Sequence, residues 1–114
     1  MLALCVATPA HASQNSGWVW TSTRSGAVYF DADLNGRRDW EKITICLNKP
    51  GHPIQARVHD GRHMRALVDT TADGRCVSRA GDFFPEERDI TVYVHEIWDN
   101  REKADTLGEG SARS

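Results

Sequence analysis

The clearest candidate for chemistry is a run of oxygen-bearing side chains at alternating positions. Asp31, Asp33 and Asn35 stand at positions 1, 3 and 5, Gly36 at position 6 and Asp39 at position 9. Hard cations take several oxygen ligands at this spacing, and the glycine permits a sharp turn, so the run matches the first half of an EF-hand calcium loop. The match stops at position 12, which requires a bidentate Glu and here holds Lys42; Arg37 and Arg38 add positive charge beside the supposed cation. The stronger reading is a solvated hairpin turn. A Ca2+ site is the alternative, with Glu41 as a substitute ligand.

Aromatic side chains are the second candidate. Trp18 and Trp20, at i and i+2, share one face of a short strand, and Trp40 stands where the next polar turn ends. A flat, partly exposed aromatic pair is a platform for sugar rings or for a protein partner. The competing role for these tryptophans is to fill the core. The histidines are dispersed: His52, His59, His63 and His95 fall among turns and strand ends. His59 and His63 would be cross-strand neighbours able to hold a transition metal, although a solvated pair is the commoner arrangement. The chain contains no GxSxG, HExxH or phosphate-cradling glycine loop, so catalysis is not expected. A small secreted enzyme using His, Asp and Glu residues is the last alternative.

These residues are positioned by short alternating segments. In 26–47, an aromatic and β-branched run (Ala27-Val28-Tyr29-Phe30) leads through the Asp-rich turn to a second strand. There Ile43, Ile45 and Leu47 share one face and Lys42, Thr44 and Cys46 the other. Residues 54–59 place Ile54, Ala56 and Val58 inward, and residues 63–69 place Met64, Ala66 and Val68 inward. A three-residue loop, Asp60-Gly61-Arg62, keeps these faces in phase and sets Val58 opposite Met64. Residues 75–80 carry Cys76. Phe83 and Phe84 lie in a loop from which at least one should plug the core. Residues 89–98 alternate again, with Ile90, Val92 and Val94 inward. About seven short strands without a long helical period predict an all-β domain, a small antiparallel β-sandwich with a small barrel as the alternative. Residues 99–114 turn polar and read as a partly disordered tail.

The chain has 114 residues and a formal net charge of −2, enough for one domain with a modest core and without the basic stripe of a nucleic-acid binder. Residues 1–12, MLALCVATPAHA, are apolar and then small, ending in an A-x-A cleavage pattern; no Lys or Arg precedes them, as in a leader that has lost its start. With Cys5 removed in such a leader, Cys46 and Cys76 remain, an even number suited to a single disulfide in an oxidising compartment. The single β domain is expected over 13–98.

The segments GAVYFDADLNG…EKITICLN and DGRCVSR…FPEERDITVYVHEIW resemble a group of small, mostly uncharacterised secreted proteins of actinomycete bacteria, over residues 26–98. The resemblance implies secretion and an all-β fold and implies no activity. Members of that group often carry a further cysteine pair near the C-terminal strand, where this chain has His95 and a cysteine-free tail. The expected function is that of a secreted, non-catalytic β domain engaged in extracellular binding or surface association. Its partner would be an extracellular protein or a cell-wall glycan, with calcium-dependent binding as an alternative.

Overall fold

A computed structural model describes residues 13–114. The leader expected over residues 1–12 lies outside the described residues. Eight strands follow one another: β1 (Trp18–Trp20), β2 (Gly26–Asp31), β3 (Glu41–Leu47), β4 (Ile54–His59), β5 (Met64–Asp69), β6 (Val77–Gly81), β7 (Asp89–Trp98) and β8 (Arg101–Arg113). A 3₁₀ turn, Leu34–Gly36, interrupts the β2–β3 connection. The strands form two four-stranded antiparallel sheets, of order β1-β2-β3-β6 and β5-β4-β7-β8, and no barrel closes. This is the expected β-sandwich with one strand more than the sequence pattern announces.

Alternation builds the core directly. Val28, Phe30, Ile43, Ile45 and Leu47 point from the first sheet towards Ile54, Ala56, Val58, Ile90, Val92 and Val94 of the second. Phe84 fills the end of this layer, edge-on to Phe30 with ring centroids 5.9 Å apart, while Phe83 stays half-buried. Each fully buried Val, Leu, Ile or Phe side chain here contributes about 1.5–3 kcal/mol relative to exposure. Cys46 and Cys76 are bonded, joining β3 to the segment just before β6 across 30 positions of sequence. Closing a loop of that length stabilises the fold by about 3–4 kcal/mol in the chain-entropy account.

Two expectations are corrected. Residues 99–114 are not a disordered tail: residues 101–113 form β8, the longest strand, paired with β7 from Asp89↔Arg113 to Trp98↔Arg101. Asp99 and Asn100 turn this hairpin with φ of 53° and 62°, the left-handed pair that a two-residue hairpin loop demands and that Asp and Asn tolerate. The β5 register also differs. His59 pairs with Met64, Val58 with Arg65 and Ala56 with Leu67. Asp60 N–H donates to His63 O at 3.2 Å, leaving Gly61 and Arg62 at the tip, with Gly61 at φ 91°. Hence Leu67 and Asp69 face inward, and Met64, Ala66 and Val68 face water. The loop chemistry, and not the apolar count of the strand, set the phase.

The polar composition of β8 follows from packing. A Cβ on Gly108 would stand 1.9 Å from the Trp20 carbonyl oxygen, and one on Gly110 would stand 2.5 Å from Val19 Cγ2. β1 therefore lies directly on the β8 backbone. The ends of this seam are tied by Ser22 N–H to Thr106 O (3.0 Å) and by reciprocal Gln14–Arg113 backbone bonds, each 2.9 Å. A Gly108→Ala substitution is expected to cost about 2–3 kcal/mol by forcing β1 away, which thermal unfolding would show as a lowered midpoint.

Candidate functional site

The outer face of the first sheet carries the aromatic candidates. β1 buries only its middle residue, Val19, so Trp18 and Trp20 turn outward. Trp18 pairs with Tyr29, which pairs with Thr44, and Trp20 pairs with Ala27, which pairs with Cys46. Trp18 is 51% exposed and meets Tyr29 edge-on at 5.3 Å, while Trp20 is half-buried, with the Arg24 guanidinium 5.7 Å from its ring centre. Asn15 pins this arrangement: its Nδ2 donates to the Tyr29 hydroxyl (3.2 Å), and its Oδ1 accepts from Ala32 N–H (2.7 Å).

Trp18 thus borders two grooves of this face. One, of about 190 Å³, is lined by Trp18, Trp20, Ala27, Asn48 and the Cys46–Cys76 bridge. The other, of about 290 Å³, is lined by Trp18, Tyr29, Asp31, Leu34, Lys42 and Thr44. The smallness of Ala27 opens the first groove, and the polar groups line the second. Sequence reading found the two tryptophans. It missed Tyr29 and Asn48, although the i, i+2 alternation of β2 already assigns Tyr29 to the face opposite Val28 and Phe30. Trp40 has Arg37 stacked 4.7 Å from its ring centre, and no ring contact joins it to Trp18.

The Asp-rich loop is closed largely by its own backbone. Leu34 N–H donates to Trp40 O, Gly36 N–H to Asp33 O and Arg37 N–H to Leu34 O. Asp31 ends β2 opposite Lys42, and Asp39 lies 4.0 Å from Arg37. Asn35 takes φ 55° as a turn residue. Glu41 is committed elsewhere: it is buried, and its Oε1 accepts Phe83 N–H (2.8 Å) and Phe84 N–H (2.9 Å). Burial pushes its carboxyl up against these two bonds. Burial and then the charge of Asp33 likewise raise Glu86, with Arg38 at 3.7 Å opposing. Asp33 Oδ1, Glu41 Oε2 and Glu86 Oε1 are buried without a hydrogen-bond partner. Among the described residues, no three His, Cys, Asp or Glu side chains form a group able to hold a metal.

The histidines are separated by the β5 register. Met64, not His63, opposes His59. His59 stacks on Tyr93 at 5.5 Å, and the His63 ring meets Asp60 at 3.0 Å. His52 stacks on Trp98 at 3.9 Å. His95 is fully buried, with Nε2 3.0 Å from Gln55 Oε1. Burial holds its pKa down, against the attraction of Glu102. Beside it, Glu96 receives bonds from Thr23, Trp98 and Ser25; burial opposes its charge, and these donors outweigh burial, so its carboxyl lies below the ordinary range. The hydroxyl cluster ties the β1–β2 turn to β7, and its members carry no signature in the sequence.

Because burial disfavours the charged His95 imidazole in the fold, while the unfolded chain protonates near its ordinary value of about 6.5, stability falls as pH drops below that value. The stability advantage of the parent over His95→Gln is therefore expected to shrink between pH 7 and pH 5, measured by denaturant unfolding. Compared with known proteins, the chain matches no family model, no curated protein and no solved structure.

Proposed function

We propose that this is a secreted, non-catalytic binding domain that takes glycan strands of the cell surface on the outer face of β1, β2 and β3. One observation carries the reading: Trp18 is half-exposed, packs edge-on against Tyr29 and borders two grooves of this face. An indole held in place stacks on the apolar face of a pyranose at little entropic cost, and a polar rim of Asn48, Asp31, Lys42 and Thr44 offers partners to sugar hydroxyls. The Cys46–Cys76 bridge suits an oxidising compartment. Among the described residues no helix is long and apolar enough to cross a membrane.

Retention on insoluble peptidoglycan tests the reading. The parent is expected to be retained, and Trp18→Ala to lose at least about tenfold in affinity, or about 1.4 kcal/mol. Trp98→Ala, on the other sheet, should keep it. Free passage of the parent, or full retention of Trp18→Ala, would sink the idea. A calcium-dependent form of the same module draws on the partnerless oxygens of Asp33 and Glu86. It requires millimolar calcium to raise the unfolding midpoint and Asp33→Ala to abolish the rise.

A further inference from the structure

The second sheet ends at β5, and this edge is open. The Asp60–His63 hydrogen bond sets the phase of the β4–β5 ladder. Narrow pairs then fall at Val58–Arg65, Ala56–Leu67 and Ile54–Asp69, and wide pairs at Met64, Ala66 and Val68. The N–H and C=O groups of these last three residues therefore point away from β4, into solvent. Among the described residues, the one group hydrogen-bonded to any of them is the Arg65 guanidinium, which donates to Met64 O at 3.2 Å. Their side chains form an exposed row on the outer face, with Met64 55% and Val68 40% exposed.

The inner side of this edge is basic. Arg65 lies opposite Val58 and Arg79 opposite Ile43, so both point towards the gap between β5 and β6, and both are exposed. Arg62 at the hairpin tip and Arg75 before β6 add to them. Among the described residues none of the four forms an ion pair; Arg65 rests on the Phe83 ring at 5.4 Å. Of the carboxylates near them, Asp60 accepts Arg62 N–H (2.8 Å) and His63 N–H (2.6 Å), Asp69 accepts Leu47 N–H (2.9 Å) and Thr71 N–H (3.3 Å), and Asp73 accepts Arg75 N–H (2.9 Å), so each is held by backbone donors away from the arginine side chains. Asp82 adds its charge to Glu41 and Glu86. Inward-pointing charges on edge strands keep like copies from pairing, and here two antiparallel copies of β5 would bring their Arg65 side chains onto the same face. An acidic strand meets no such repulsion.

We propose that β5 accepts an extended acidic peptide segment of another protein as a fifth strand of this sheet. Strand addition supplies main-chain hydrogen bonds, and alternate side chains supply selectivity. The alternation specifies the partner: apolar residues continue the Met64–Val68 row, and carboxylates on the other face meet Arg65 and Arg79.

The test uses a labelled, end-blocked octapeptide of alternating valine and glutamate, with its lysine counterpart as control, followed by fluorescence anisotropy. The glutamate peptide is expected to bind, more weakly as salt rises, and the lysine peptide not to bind. Ala66→Pro removes an outward N–H and no ladder bond, so it should keep the unfolding transition while losing at least tenfold in affinity. Arg65→Glu with Arg79→Glu should reverse the preference. Trp18→Ala should bind the peptide unchanged, which separates this edge from the glycan face. Equal binding of both peptides, binding of neither, or unaltered binding by Ala66→Pro overturns the proposal. So does a parent that dimerises in sedimentation where Ala66→Pro is monomeric, since the edge would then belong to a second copy.

Discussion

The domain depends on a close approach of two backbones. β1 has three residues and one inward side chain, Val19, which seats against the bare Cα of Gly110 while the Trp20 carbonyl rests on Gly108. Side chains at those positions would push β1 outward and withdraw Val19 from the core. The orientation of Trp18 and Trp20 follows from the same contact. Because successive residues of a strand face opposite ways, anchoring Val19 inward obliges both indoles to face out. The candidate binding surface is thus set by two glycines on another sheet.

A second constraint is the use of buried carboxylates as backbone clamps. Glu41 closes the β6–β7 connection by accepting two N–H groups, and Asp69 takes the Leu47 N–H that lies beyond the reach of β6. Glu96 gathers the hydroxyls of the β1–β2 turn onto β7. Each lies where an edge or connection leaves N–H or O–H donors that no ladder can satisfy, and an unpaired buried donor costs about 1–3 kcal/mol. These acids hold the fold together, which is why Glu41 is not free to serve the Asp-rich loop.

The two open features sit on different sheets and differ in character. The outer face of β1–β3 is aromatic and grooved, suited to a flat, neutral ligand; the β5 edge is extended and basic, suited to a strand. Neither shares side chains with the other, so both can be occupied at once.

Much of this was legible in the sequence because it is local. Alternation in residues 26–31, 41–47, 54–59 and 89–98 marks the strands and their inward faces, and the two cysteines among residues 13–114, Cys46 and Cys76, allow one bridge. Asn35-Gly36 announces its turn, and Asp99-Asn100 would have announced the last hairpin had the polar composition after it not suggested disorder. What tertiary structure decided is whatever depends on a partner strand. The polar, glycine-rich run 101–113 becomes a strand because β7 supplies its hydrogen bonds and β1 tolerates no side chain above it. The face of β5 was decided by a single loop hydrogen bond, since a one-residue slip in register exchanges the two faces and the run from Met64 to Asp69 has apolar residues on both. The outward aspect of Trp18 and the dispersal of His59 and His63 were settled in the same way, by contacts between segments that the linear order does not bring together.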